Sequence, residues 1–181
     1  MTCETDMTVT TPPDLRQAWE EALPYERFVA EADKNCGLWE GVYRVARIPP
    51  WAFQQACDQG RDVRLLVIAE DWCGDASNTV PILAKLGDVA SCLEMRIVRR
   101  DQHPELMDHY LTNGARAIPI VIALDADSRE LGHWGPRPAD LQAWAIAHRD
   151  MPSAERYKQT RAWYAKDRGG SVLREVLALL Q

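Results

Sequence analysis

The chain has no run approaching the roughly 18 consecutive apolar residues of a membrane-spanning helix, so no membrane partner is expected. It has no basic excess either: 21 Lys and Arg stand against 27 Asp and Glu, for a net charge of -6. Nucleic-acid binding needs a basic surface, so nucleic acid is not expected as a partner. The start, MTCETDMTVTTPPD, lacks the basic and apolar regions of a signal peptide, and a cytoplasmic chain is expected. His103, His109, His133 and His148 show no metal-ligand spacing with one another or with the cysteines. No metal and no cofactor are expected. The five cysteines are scattered and odd in number, which is not a disulfide framework. In a reducing compartment each is expected as a free thiol. There is no internal repeat and no low-complexity segment.

What is present is ordinary globular material. The chain has 181 residues, 46% of them hydrophobic, which suits one domain with extensions and needs no disulfide scaffold. Residues 1–13 read as a flexible tail and 14–62 as a helical extension. Asp14 opens a helical stretch to about Lys34, in which Pro24 kinks or restarts the helix. Shorter helices follow at Leu38–Ala46 and Trp51–Asp58. The core, 63–150, starts with VRLLVIAE, a nearly continuous apolar run that reads as a buried central strand. DASNTVPILAKLG reads as a helix ending at Gly87, with Pro81 kinking it. CLEMRIVRR reads as a strand, and HPELMDHYLTNG as a helix stopping at Asn113-Gly114. IPIVIALD and LGHWG pair as strands across ADSRE, and PADLQAWAIAHRD reads as an amphipathic helix with Leu141, Trp144, Ala145 and His148 on related faces. In the extension 151–181, Ser153 caps a helix, Gly169-Gly170 interrupts it, and SVLREVLALL resumes. That last helix is expected to dock on the core, with a dimer seam as the alternative. A strand–helix–strand unit followed by a hairpin and a helix implies an α/β fold, a central mixed sheet flanked by helices.

The chemistry concentrates in EDWCGDASNTVP. A strand feeding a helix at this point puts Cys73 at the helix N-terminus, among unpaired N–H groups and the positive dipole end. Both favour the thiolate, which is the reactive form. Asp75 works in two directions there. It suits the dipole, and by like-charge repulsion it raises the thiol pKa. Arg99 and Arg100, at the end of the neighbouring strand, are candidates to offset it. The alternative for Cys73 is a small buried hydrophobe, and for Trp72 a packing aromatic.

These residues resemble the thioredoxin superfamily. Trp72-Cys73-Gly74 resembles the start of its Trp-Cys-Gly-Pro-Cys loop, and NGARAIPIVIALD resembles the stretch whose Ile-Pro leads into a sheet strand. By that resemblance Pro119 is cis, and Gly135 matches the family's late active-site glycine. The whole chain is similar to a bacterial thioredoxin-like branch with a Trp-Cys-Gly-Asp-Ala loop. The resemblance implies a thioredoxin-like fold over about 63–150. Two departures stand out: Asp75 replaces the loop proline, and Ala76 replaces the second cysteine, which would resolve a mixed disulfide. Val67 also replaces the family's buried carboxylate.

A monothiol oxidoreductase follows as the first functional reading. Cys73 would attack a protein or small-molecule disulfide, and an external low-molecular-weight thiol would resolve the adduct. Trp72, Gly74, Asp75, Ile118, Pro119 and Gly135 would frame the substrate groove, with the Ile118 backbone presented to a peptide. The alternative is a non-catalytic module that holds a partner peptide in the Trp72/Pro119 groove. Peroxide sensing through a sulfenic acid is a third reading. Trp134 and Arg137 read as packing and turn, or as groove rim with Arg137 recognising a carboxylate. Asp101 reads as a cap or a partner of Arg100. Cys57 and Cys92 are expected buried and Cys36 exposed in a turn. Cys3, on the tail, is a remote candidate to resolve Cys73.

Overall fold

The structure, a computed structural model, describes residues 13–58 and 60–181. The expected tail, apart from Pro13, and the resolving role of Cys3 lie outside the described residues.

At the centre is β2 (Val63–Ala69), whose Leu65 to Ala69 have no exposed surface. Full burial of each of its Leu, Val and Ile side chains is worth about 1.5–3 kcal/mol. It runs parallel to β3 (Leu93–Arg99), register Val63↔Leu93 to Ala69↔Arg99, with α5 (Gly74–Val89) as the crossover. On its other side β4 (Ile120–Leu124) pairs antiparallel, and β5 (Glu130–Trp134) pairs antiparallel with β4. A two-residue strand, β1 (Leu23–Pro24), closes the order β1-β3-β2-β4-β5.

Of the two expectations for Pro24, restart and not kink is what occurs, with β1 lying between the two helices. α1 (Leu15–Glu21), capped by the Asp14 carboxylate accepting the Gln17 N–H, stops before it, and α2 (Tyr25–Ala30) starts after Pro24. A proline ring cannot join a helix interior, whereas a sheet edge tolerates its missing N–H. Two more helices, α3 (Cys36–Val45) and α4 (Pro50–Cys57), each pack against α5, with Trp39 of α3 fully buried. Cys36, expected in an exposed turn, is the half-buried first residue of α3.

Three further boundaries and one helix face differ from expectation. α5 continues past Gly87 to Val89, with Pro81 inside it. α6 (Pro104–Asp108) ends well before Asn113. Asn113 and Gly114 both have positive φ and sit between Thr112 and Ala115, which exchange backbone hydrogen bonds. Asn-Gly is a turn signal as well as a helix stop, and here the turn prevails. α7 (Ala139–Ala147) buries only Leu141 and leaves Ile146 exposed, so its apolar residues do not form one buried face. α8 (Ser153–Asp167) is entered through Pro152, and Ser153 is its first helical residue, not its cap.

Arg168 and Gly169 both adopt positive φ and turn the chain into α9 (Gly170–Ala178). A Cβ on Gly169 would fall 2.5 Å from Ile82 Cδ1, so the turn is pressed against α5. Val172, Leu173, Val176, Leu177 and Leu180 are all buried in the core of this chain.

Candidate active site

Cys73 is the N-cap of α5, and its Sγ accepts the Ala76 N–H at 3.4 Å. The Cys73 thiol is placed to donate to the Ile118 carbonyl oxygen at 3.4 Å. The Ile118–Pro119 peptide bond is cis, and both residues are buried. The thiol thus sits between a helix N-terminus and the backbone of a neighbouring loop, at the carboxyl end of β2. That edge is where open α/β sheets bind ligands.

Gly135 completes the frame. Its φ is +135°, and a Cβ there would lie 2.2 Å from the Pro119 carbonyl oxygen. No side chain fits, so only glycine lets the β5 end close over the Ile118–Pro119 loop. Trp72 is 45% exposed beside this frame, with the Arg100 guanidinium 4.8 Å from its ring centre.

The loop is held from both extensions. Asp71 Oδ2 accepts the Asp33 and Lys34 N–H groups at 2.7 and 3.0 Å, and the Trp39 indole donates to the Asp71 carbonyl at 3.0 Å. From the other end, α8 lies over the start of α5. A Cβ on Gly74 would lie 3.2 Å from Tyr157 Cε2. The Tyr164 hydroxyl donates to Asp75 Oδ1 at 2.9 Å.

Arg99 and Arg100 do not partner Asp75. Arg99 stacks on Phe28 and lies 3.9 Å from both Glu31 and Glu70. Arg100 pairs with Asp101 at 2.8 Å and donates to the Arg116 carbonyl. The cation at this site is Arg137, 2.6 Å from Asp75 Oδ2, where the two side chains are 31% and 11% exposed. So the carboxylate that Arg137 recognises is the chain's own. Asp75, Arg137 and Tyr164 form a triad that sequence reading did not assemble. The signal for it in the sequence is Arg137, which reads there as recognising a carboxylate; nothing local points to Tyr164.

Cys73 is 8% exposed. Burial pushes its thiol above the ordinary value, and the Asp75 charge adds to this. The Ala76 and Asp75 N–H groups and the Arg137 charge pull it back without reversing the direction. Val67, in place of a buried carboxylate, is fully buried in β2.

Beside Gly74 and Asp75 opens a cleft of about 650 Å³, walled by α7 and α8. Arg137, Arg149, Arg156 and Arg161 line it, and among the described residues its one lining carboxylate is Asp75, which Arg137 already pairs.

A helix-start cysteine facing a cis X-Pro loop across a β2–α5–β3 crossover is a thioredoxin arrangement, and the sequence comparison agrees. The chain belongs to the thioredoxin family. The family's sequence model, described as thioredoxin, matches residues 22–156, which extends beyond 63–150 into both helical regions. Two solved structures share the fold. A protein of unknown function from Pseudomonas aeruginosa is 21% identical, with a TM-score of 0.73 over 91% of this chain and 95% of that one. An HIV epitope scaffold is 19% identical, with a TM-score of 0.72 over 91% of this chain and 96% of that one. At such identities they speak for the thioredoxin fold alone. Among curated proteins nothing matches the chain. No helix among the described residues is long and apolar enough to cross a membrane.

Proposed function

We propose that the protein is a slow monothiol thiol–disulfide exchanger. The Cys73 thiolate attacks one sulfur of a disulfide R–S–S–R′, forming Cys73–S–S–R and releasing R′S⁻. A second, external thiolate then attacks that adduct, restoring the Cys73 thiolate and releasing the new disulfide. Ala76 leaves no internal thiol at the loop position that would otherwise do this. The observation that carries the reading is the placement of Cys73 Sγ, which accepts the Ala76 N–H while facing the Ile118 carbonyl. There the helix N-terminus stabilises the thiolate as it forms. Burial keeps the resting group a thiol at neutral pH, so exchange is slow and accelerates with pH. The arginine-lined cleft begins at Gly74, next to Cys73 but not lined by it, and so suits a carboxylate carried by the substrate away from its reacting disulfide.

A second reading has one observation in its favour. Cys73 is 8% exposed, as suits a groove that holds a partner peptide without turnover. Stopped-flow exchange of the folded protein with a small disulfide across pH 6–10, with Cys73→Ser as the blank, separates the two. A Cys73-dependent rate with its midpoint above the ordinary thiol value of about 8.5 supports the exchanger. Absence of any Cys73-dependent rate across that range refutes it and leaves the peptide-binding groove.

A further inference from the structure

The sequence leads one to expect Cys57 and Cys92 to be buried. Both are half-buried, and their Sγ atoms lie 2.7 Å apart although 35 residues separate them in sequence. Cys57 is the last residue of α4, and Cys92 immediately precedes β3. The Val63 N–H donates to the Cys92 carbonyl at 2.9 Å, which fixes Cys92 at the start of β2. The pair therefore sits at the amino end of the parallel strands, whereas Cys73 follows their carboxyl end. Seven residues of β2 between the two sites span roughly 20 Å. This dithiol is out of reach of Cys73 and cannot resolve its adducts.

We propose that Cys57 and Cys92 form a second thiol site, one that oxidises to an intramolecular disulfide at the expense of a small external disulfide. One of the two sulfurs, as thiolate, attacks R–S–S–R and releases RS⁻. The other attacks the resulting mixed disulfide and releases a second RS⁻. Two thiol protons and two electrons leave the protein, and one R–S–S–R becomes two RSH. The sulfurs are already side by side, because α4, β2 and β3 hold them in contact. The Cys92 thiol is pushed up to about 11, by burial first and then by its hydrogen bond and charge interaction with Cys57. At neutral pH Cys92 is therefore slow as the attacking sulfur, and alkaline conditions favour its attack. The new bond closes a loop containing β2, the Cys73 turn and α5. A crosslink there restricts the unfolded chain and so raises stability.

The test uses the full chain with Cys3, Cys36 and Cys73 replaced by Ser, incubated with oxidised glutathione at pH 8.5. Removing Cys73 also makes the result independent of the exchange reading. The expected product is a monomer two hydrogens lighter, with a peptide link mapping to Cys57 and Cys92. Its melting temperature should rise by several degrees and fall back on reduction. Adding Cys57→Ser should abolish both the link and the rise. If both sulfurs instead remain open to alkylation, or end as separate glutathione adducts, the proposal fails. It fails equally if the link forms but lowers the melting temperature. Should the triple variant not fold, the same mapping on the native chain decides, because the Cys57–Cys92 peptide is distinct from any containing Cys73.

Discussion

The Asp75–Arg137 pair sets up the sharpest quantitative expectation. In Arg137→Gln the Asp75 carboxylate, 11% exposed, loses its 2.6 Å partner and keeps only the Tyr164 hydroxyl at 2.9 Å. Breaking a fully buried pair from one side costs about 3–5 kcal/mol, and an exposed pair contributes about 1 kcal/mol or less. Arg137 is about one-third exposed, which places the cost near 2 kcal/mol. In a chain of this size that lowers the melting temperature by about 4–8 °C. Asp75→Asn leaves Arg137 with the Gln142 side chain at 3.1 Å and with solvent access, so it costs less. The double variant leaves no uncompensated charge, so it should lie well above the sum of the single losses. A double-mutant cycle read by urea denaturation should therefore give a coupling of about 2 kcal/mol. A coupling within about 0.5 kcal/mol of zero would refute the claim that these two side chains stabilise the fold as a pair beside the Cys73 turn.

Gly135→Ala places a Cβ 2.2 Å from the Pro119 carbonyl oxygen at a φ of +135°. The loss should be about 3 kcal/mol or more, visible in thermal melts, and an unchanged melting temperature would sink the reading of the close approach. Stability should also fall at alkaline pH. Burial raises the Cys73 and Tyr164 pKa values, and the hydrogen bond to Asp88 takes Tyr43 up to about 12. A group whose folded pKa is raised contributes fully below its unfolded pKa and loses that contribution as pH climbs through the folded one. The urea midpoint should therefore hold up to about pH 8.5 and decline above it, where unfolded thiols and then phenols ionise. A midpoint flat to pH 11 would contradict these directions.

Local chemistry is what the sequence by itself determined. An apolar run reads as β2 because a strand buried on both faces needs no alternation. Cys73 falls at a helix start because a strand leads into a helix there, and both patterns are short-range. Ile118-Pro119 and Gly135 were legible as a set through likeness to a family, and the geometry supplied the reason for the glycine. Only the tertiary structure decided what lies around the sulfur. The Tyr164 hydroxyl reaches Asp75 across 89 residues, and Cys57 meets Cys92 across 35. No local pattern encodes such meetings, because they arise when helices dock on the sheet. β1 escaped notice for the same reason: two residues form a strand only because β3 offers them an edge. The ionisation of Cys73 was also beyond sequence reading. It depends on how deeply the fold buries the thiol, and on Arg137, not Arg99 or Arg100, being the cation that reaches Asp75.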